Sequence, residues 1–206
     1  MKIKTEKEIE KRIEKILIDS ALRVIKSGEG CLFIIKHNGI GVGYELLIIN
    51  DLKKPFSIFE EKHQKRMDIL AKLDGACIID KGKLIAYGAR IKDVRTFHGF
   101  GTRNSAAYTA SLKGNTAILG SQESKKVRIF KNGVVVMQID ALERGIESKT
   151  SQAVSILESV GAGTIGAIGT GILLPTAGVT LLPGIIVFGS SHWILKYLIN
   201  MGGRHG

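Results

Sequence analysis

Three short segments of the chain carry side chains that are able to do chemistry. Asp74-Gly75-Ala76 offers a carboxylate, 101–107 (GTRNSAA) offers a hydroxyl and a guanidinium after a glycine, and 121–123 (SQE) offers a hydroxyl and a second carboxylate. Hard carboxylate oxygens suit Mg²⁺ or Mn²⁺. Arginine, hydroxyl groups and the N–H groups at the start of a helix suit phosphate oxygens. Together the segments have the composition of a metal–triphosphate site.

Each segment taken alone is a weak indication. An Asp-Gly pair is more often a turn than a ligand, and 101–107 is equally compatible with an ordinary capped helix. Ser121 and Glu123 follow a predicted strand, so we expect them at its end on a common side, where ligand-binding residues are frequent. The sequence has no Walker lysine motif, which excludes a P-loop.

The elements that must position these segments follow from hydrophobic periodicity. Apolar side chains at every fourth position indicate an amphipathic helix, and short apolar runs bounded by turn residues indicate strands. Two Gly-containing turns, after Asp80 and at Asn132-Gly133, predict hairpins. The predicted elements, in chain order, are a helix at 5–26, strands at 31–37 and 44–49, a helix at 59–72, a hairpin at 76–87, a loop that opens a short helix at 101–114 and three strands within 116–140. They predict an α+β (α/β-like) sheet domain closed by the first helix.

The last quarter of the chain differs in kind. No charged residue lies between Glu158 and Lys196. Two largely apolar spans, 153–174 and 179–199, each approach the ~20 residues that cross a bilayer core. With basic flanks they predict a C-terminal hydrophobic helical hairpin in contact with a membrane, both ends cytoplasmic; the alternative is a Gly-rich helical pair that caps a soluble cytoplasmic oligomer. The chain is thus divided into an N-terminal helix (1–27), a nucleotide-binding domain (28–150) and a hydrophobic tail (151–206).

Charge and cysteine content restrict the class of protein. The net charge is +11, and 28 basic against 18 acidic residues lie in 1–152. This excess favours a polyanionic partner such as nucleic acid, nucleotide or anionic lipid, or it is a lysine-rich solvated surface. Aromatic residues are only 6%, which disfavours nucleic acid as the partner. Cys31 and Cys77 lie in apolar runs and are expected in the core, and the charged residues 1–16 contain no secretion signal.

The order and spacing of the three segments resemble one known family. The region from about 28 to 140 resembles the diadenylate cyclase (DAC) domain, which condenses two ATP molecules into cyclic di-AMP. That family carries a DGA motif, a GTRHRAA motif about thirty residues later, and an SEE-type motif about twenty residues after that. This chain has DGA at 74–76, GTRNSAA at 101–107 and SQE at 121–123. The resemblance implies a mixed central β-sheet flanked by helices.

The resemblance also implies roles for residues of this chain. Asp74 and Glu123 would bind Mn²⁺ or Mg²⁺, and Asp74 would help to activate the ribose 3′-hydroxyl. Arg103 would be catalytic because it grips phosphates. Each domain would bind one ATP, so two domains of a homo-oligomer would have to face one another. The residues implied in ATP binding are Gly75, Ala76, Thr102, Arg103, Asn104 and Ser121.

The phosphate motif departs from the family pattern at two positions. Asn104 and Ser105 stand where the family has His and Arg, which removes one cation from the motif. Arg95, Lys113 and Lys125 are the nearby candidates for replacing it. The departure favours a second interpretation, a non-catalytic nucleotide or cyclic di-AMP sensor with a hydrophobic signalling tail. Retention of both carboxylates favours the cyclase.

Overall fold

The computed structural model describes residues 5–37, 41–47, 52, 54–96, 101–161, 172–174 and 179–188. Within these residues the chain forms four helices and eleven strands. The helices are α1 (Glu6–Lys26), α2 (Glu61–Ala71), α3 (Thr102–Leu112) and α4 (Ile146–Gly161). The strands are β1 (Cys31–Lys36), β2 (Tyr44–Leu46), β3 (Phe56–Ser57), β4 (Ala76–Asp80), β5 (Lys83–Ile91), β6 (Thr116–Ser121), β7 (Lys126–Lys131), β8 (Val134–Asp140), β9 (Ile172–Leu174), β10 (Val179–Leu182) and β11 (Ile185–Phe188).

The strands form one mixed sheet in the order β2-β5-β4-β1-β6-β7-β8-β11-β10-β9, and β3 pairs with β5 beside this path. Strands β1 and β4 are parallel, with Phe33 opposite Cys77. The other described pairs are antiparallel, including β1 with β6. The predicted α+β fold with a mixed central sheet flanked by helices is confirmed.

Both faces of the central strands are buried, which explains why β1 reads as a continuous apolar run. Phe33 and Ile35 belong to the core that α1, α2 and α4 cover. Leu32 and Ile34, on the opposite face of the same strand, pack in the core that contains α3. Alternate residues of a strand point to opposite faces, so a strand between two helical layers needs apolar residues at every position. Helix α3 therefore stands on the other side of the sheet from α1.

Helix α1 begins and ends where its sequence predicts. The Thr5 hydroxyl accepts a hydrogen bond from the Glu8 N–H (3.3 Å), and the Glu8 carboxylate accepts one from the Thr5 N–H (3.1 Å), which is a capping box. Arg23 pairs with Asp68 of α2 at 2.7 Å, and Lys11 pairs with Glu158 of α4 at 3.1 Å. These contacts hold the three helices of this layer in register on the sheet.

The two predicted hairpins are confirmed with two-residue turns. Lys81 and Gly82 have φ values of 48° and 74°, and Asn132 and Gly133 have φ values of 51° and 74°. Positive φ at both central residues defines the type I′ turn, whose twist matches that of the paired strands. Asn is tolerated in this region and Gly is the usual second residue, so the local sequence specifies these turns.

The tail departs from the sequence-based expectation. A helix was predicted over 179–199, but Val179–Leu182 and Ile185–Phe188 are paired antiparallel strands, and the second of them extends the sheet at β8. The prediction of helices is therefore wrong for 179–188, and also for 172–174 at the end of the first predicted span, which forms β9 and pairs with β10. Residues 162–171, 175–178 and 189–206 of the predicted hairpin lie outside the described residues. In the described ranges, no helix has the length and apolar character that a bilayer crossing needs.

One feature of the sequence and one feature of the fold account for this difference. Pro183-Gly184 forms the turn between the strands, and Gly184 has a φ of 77°, as the third position of a type II turn requires. On its side away from β7, strand β8 offers backbone N–H and C=O groups to a further strand, and β11 pairs with them. A short uncharged run of β-branched residues is ambiguous between helix and strand, and a neighbouring strand edge decides between them.

Replacement of Ile18 by Ala tests the helical layer. Ile18 is fully buried in α1, so Ile18→Ala should lower the free energy of unfolding by about 2–5 kcal/mol. Ile69→Ala removes the same atoms from α2 where the side chain is 67% exposed, and should cost less than about 1 kcal/mol. Chemical denaturation measures both variants, and equal losses would contradict the packing described above.

The two cysteines provide a second test of the core. Burial raises the pKa of Cys31 to about 12 and also raises that of Cys77. Both thiols therefore stay protonated near neutral pH, and the thiolate is the reactive form. We expect Ellman's reagent at about pH 8 to modify neither thiol in the folded protein and both in guanidinium chloride. Rapid modification without denaturant would show that the core opens.

Candidate active site

The sheet topology brings the three motifs to the same end of the central strands. Because β1 and β4 are parallel, their amino ends lie together, and Asp74 directly precedes β4. Strand β6 is antiparallel to β1, and its carboxyl end places Gly120 opposite Cys31. The end of β5 arrives at the same edge, with Ala89 opposite Ala76. The DGA and SQE motifs therefore lie at the same end of the sheet, with β1 between their strands, although about forty-five residues separate them in sequence.

Gly75 sets the conformation of the DGA motif. Its φ is 94°, and a Cβ at this position would lie 2.5 Å from the carbonyl carbon of Gly88. Only glycine accepts both this φ and this close backbone approach. The Gly75 N–H donates a hydrogen bond to Asp74 Oδ1 (3.0 Å), which fixes a carboxylate whose side chain is still 85% exposed. The motif thus presents an oriented acidic group at the sheet edge.

Helix α3 aims its first turn at the same edge. It begins at Thr102 after the N-cap residue Gly101, as the sequence predicts. Since glycine has no side chain, that position provides no side-chain cap for the first N–H groups of the helix. Unpaired N–H groups and the partial positive charge of the helix N-terminus favour an anion there.

Arg103 is the side chain that joins the motifs. Its Nη2 lies 3.7 Å from Asp74 Oδ1, which is an ion pair between two motifs. A methyl group on Gly30 would lie 2.6 Å from Arg103 Nη1 and 3.2 Å from the carbonyl oxygen of Gly120. The guanidinium therefore extends over the start of β1, close to the end of β6. Glycine at position 30 leaves the space that this side chain occupies.

A cavity of about 710 Å³ opens beside this ion pair. Its lining includes five of the predicted site residues, namely Asp74, Gly75, Ala76, Thr102 and Arg103. It also includes Glu45, Arg90, Lys92 and Asp93, which the sequence analysis did not select. For Arg90, Lys92 and Asp93 the signal in the sequence is the charged segment 90–93 (RIKD) at the end of an apolar strand, a pattern that solvated strand ends share. Strand ends are positions where polar ligand-binding residues concentrate.

The lining carries charges of both signs. Glu45, Asp74 and Asp93 are acidic, while Arg90, Lys92 and Arg103 are basic. Arg90 and Glu45 form an exposed ion pair at 3.6 Å across β5 and β2. Acidic groups suit a divalent cation and basic groups suit phosphate oxygens, so the cavity provides partners for both parts of a metal–nucleotide complex.

Three predicted residues lie outside this lining. Ser121 ends β6, and its hydroxyl accepts a hydrogen bond from the Ser124 N–H (3.3 Å), which stabilises the turn after the strand. Glu123 lies in that turn and is exposed. Asn104 points instead toward β7, where its Oδ1 accepts a hydrogen bond from Arg128 Nη1 (3.3 Å). In the described part of the chain, no group of three or more His, Cys, Asp or Glu residues forms a metal site.

The region that carries the three motifs matches a known protein family. Residues 18–135, more than half of the chain, match the family model DAC, described as DisA bacterial checkpoint controller nucleotide-binding. The chain belongs to the DAC family. The matched range contains all three motifs, which confirms the resemblance that they predict. A comparison with curated protein sequences gave no significant match.

Two solved structures have a distant likeness to this DAC family member. DacA from Staphylococcus aureus, solved as a double mutant, is 15% identical with a TM-score of 0.46, covering 76% of this chain and 98% of its own. A hypothetical membrane spanning protein from Bacillus cereus is 14% identical with a TM-score of 0.45, over 58% of this chain. This chain spans 60% of the length of that Bacillus cereus chain.

Gly75→Ala tests the backbone requirement of the DGA motif. The new Cβ would collide with the backbone of β5, and alanine would also have to adopt the left-handed conformation of residue 75. We therefore expect a loss of about 2 kcal/mol or more in the free energy of unfolding. Gly41→Ala is the control, since no atom lies within 4 Å of its Cβ position and the change should stay within about 0.5 kcal/mol. Denaturant titration compares the two, and a stable Gly75→Ala variant would contradict the geometry.

Proposed function

We propose that the protein is a diadenylate cyclase, which condenses two ATP molecules into cyclic di-AMP and two pyrophosphates. The observation that carries the proposal is the Asp74–Arg103 pair at 3.7 Å, which sits on the cavity wall beside the first turn of α3. An acid and a phosphate-binding base in contact at a helix N-terminus suit a phosphoryl-transfer site. Membership of the DAC family supports the same reaction.

The triphosphate would bind between α3 and the sheet edge. Thr102 and Arg103 line the cavity at the helix N-terminus, so their hydroxyl and guanidinium groups would bind phosphate oxygens. The backbone of Gly75 and Ala76 would lie against the nucleotide, because both residues line the cavity and Gly75 has no side chain to exclude it. Ser121 would help to position the ATP from the end of β6.

The residues present suit a divalent cation that shares its coordination with the substrate. Mg²⁺ is typically held by one or two carboxylates together with phosphate oxygens, and Asp74 is an exposed carboxylate on the cavity wall. Glu123 is the proposed second carboxylate, and its exposed side chain is accessible to a cation. When bound, Mg²⁺ or Mn²⁺ would neutralise phosphate charge, as enzymes of this family generally use divalent metals.

The reaction requires two copies of the domain. Each ATP would supply a 3′-hydroxyl that attacks the α-phosphorus of the other ATP; the new bond is O3′–P, and the bond to the departing pyrophosphate breaks. Asp74 would orient the hydroxyl and help to remove its proton. Arg103 would stabilise the charge that develops on the phosphoryl oxygens. Catalysis would come mostly from positioning and electrostatic stabilisation, and a homo-oligomer with facing domains would supply the second ATP.

Asp74→Asn tests this proposal directly. Wild-type protein incubated with ATP and Mn²⁺ or Mg²⁺ should yield cyclic di-AMP by mass spectrometry, and Asp74→Asn should lower the rate by about 10²-fold or more, since it removes both the metal ligand and the proton acceptor. Asp80→Asn is the matched control from the other end of β4, where Asp80 pairs with Lys36 at 3.4 Å away from the cavity.

The same measurement separates the two interpretations of the sequence. If the wild type binds ATP in a confirmed dimer and forms no cyclic product with either cation, the cyclase proposal is wrong and the nucleotide sensor is supported. Unchanged turnover in Asp74→Asn would equally remove Asp74 from its proposed role. Full activity of Asp80→Asn is needed for the loss to be assigned to the cavity.

A further inference from the structure

A half-buried cation on the sheet contacts the first turn of α3. Arg128 on β7 donates through Nη1 to Asn104 Oδ1 at 3.3 Å, and Asn104 is the third residue of the helix. It is adjacent in sequence to Arg103, which lines the cavity. The position of the phosphate-binding turn is therefore coupled to a strand that contributes no residue to the cavity lining described above.

The Arg128 side chain is itself held in place by the neighbouring strand. Its Nε donates to Gln138 Oε1 at 3.2 Å, and Gln138 stands directly opposite it on β8. Partial burial lowers the pKa of Arg128, and arginine side chains remain protonated in proteins. A planar guanidinium with one N–H fixed on the sheet and another on the helix has little freedom to reorient. It connects the helix to a rigid support.

The local sequence of the phosphate motif gives this contact its importance. Ser105, where the family motif has Arg, is only 6% exposed, and residue 105 supplies no cation. Of the three cations that the sequence analysis named, Arg95 is exposed and its backbone N–H donates to Thr109, beyond the first turn of α3. Lys113 is the C-cap at the opposite end of α3, and Lys125 lies in the turn after β6. Arg128 brings a second guanidinium to the first turn, beside that of Arg103, and its contact partner there is the substituted residue Asn104.

We propose that Arg128 is a positioning residue of the ATP site, which acts through Asn104 to hold Thr102 and Arg103 in their phosphate-binding arrangement. This inference rests on the proposed function, because it assigns the site to a triphosphate. Without Arg128 the first turn of α3 would have to be ordered by the ligand. That ordering consumes binding free energy and weakens ATP binding, while the bound complex reaches the same arrangement.

The test measures ligand affinity independently of turnover. The probe is 3′-deoxy-ATP with Mg²⁺, which lacks the attacking hydroxyl, and its Kd is measured by calorimetry on the full chain. Arg128→Gln should weaken binding roughly tenfold, as expected for loss of one hydrogen bond to a charged group. Arg128→Lys should recover part of the affinity, because it keeps the charge and loses the planar fork. Lys113→Gln, a cation removed from the other end of α3, is the control and should leave Kd unchanged.

A double-mutant cycle shows whether Arg128 acts through Asn104. Asn104→Ala removes the same hydrogen bond from the helix side and leaves the buried strand intact, so it also serves if Arg128→Gln folds poorly. The double variant should bind no worse than the weaker single variant, because both changes break the same Arg128–Asn104 contact. Additive losses would overturn the proposal, as would a Kd within twofold of wild type in well-folded Arg128→Gln and Asn104→Ala.

Kinetics distinguish positioning from a general loss of structure. If Arg128 positions the turn, KM for ATP rises about tenfold with kcat nearly unchanged. If Arg128 only stabilises the fold, the active fraction and kcat fall, KM stays the same and the melting temperature drops, which would overturn the proposal. Failure of the cyclase assignment is visible separately, as absence of product from the wild type; the Kd series still decides whether Arg128 positions a triphosphate site.

Discussion

The parallel pairing of β1 with β4 is the constraint on which the site depends. With Phe33 opposite Cys77 and Cys31 opposite Gly120, the starts of two strands and the end of a third meet at one sheet edge. A parallel neighbour requires a long crossover, and here α2 lies within it, on the face that α1 also covers. The antiparallel β6 then returns the chain to the same edge. An antiparallel β1–β4 pair would have put the DGA motif at the opposite end of the sheet from Gly120.

Charged side chains at this end of the sheet give the cavity wall both acidic and basic groups. Arg103 bridges Asp74 and the region beside Gly30, so one guanidinium is paired with the acid of the DGA motif and also extends over the start of β1. The first turn of α3 adds its dipole from the opposite layer. Arg128 anchors that turn from the sheet. A ligand that carries both phosphate groups and a divalent cation is complementary to this combination.

Local rules predict much of the fold. The periodicity of α1, the turns at Lys81-Gly82 and Asn132-Gly133, and the short helix after Gly101 are short-range effects that appear as predicted. The helix expected over 179–188 is wrong, because an uncharged apolar run suits either structure and the edge of β8 selects the strand. The charged residues Arg90 and Lys92 were not selected because nothing local distinguishes a cavity-facing strand end from a solvated one.

The sequence by itself determined the family and the functional groups that the site contains. The motifs DGA, GTRNSAA and SQE specify its acids, hydroxyls and cations. Gly75 specifies the backbone conformation of the DGA motif. The tertiary structure alone decided which of these groups meet. It brought Asp74 and Arg103 into contact, left Glu123 exposed in a turn, and selected Arg128 as the cation beside Asn104. The physical reason is that strand order and register are set by long-range backbone pairing and core packing, which short-range residue patterns do not encode.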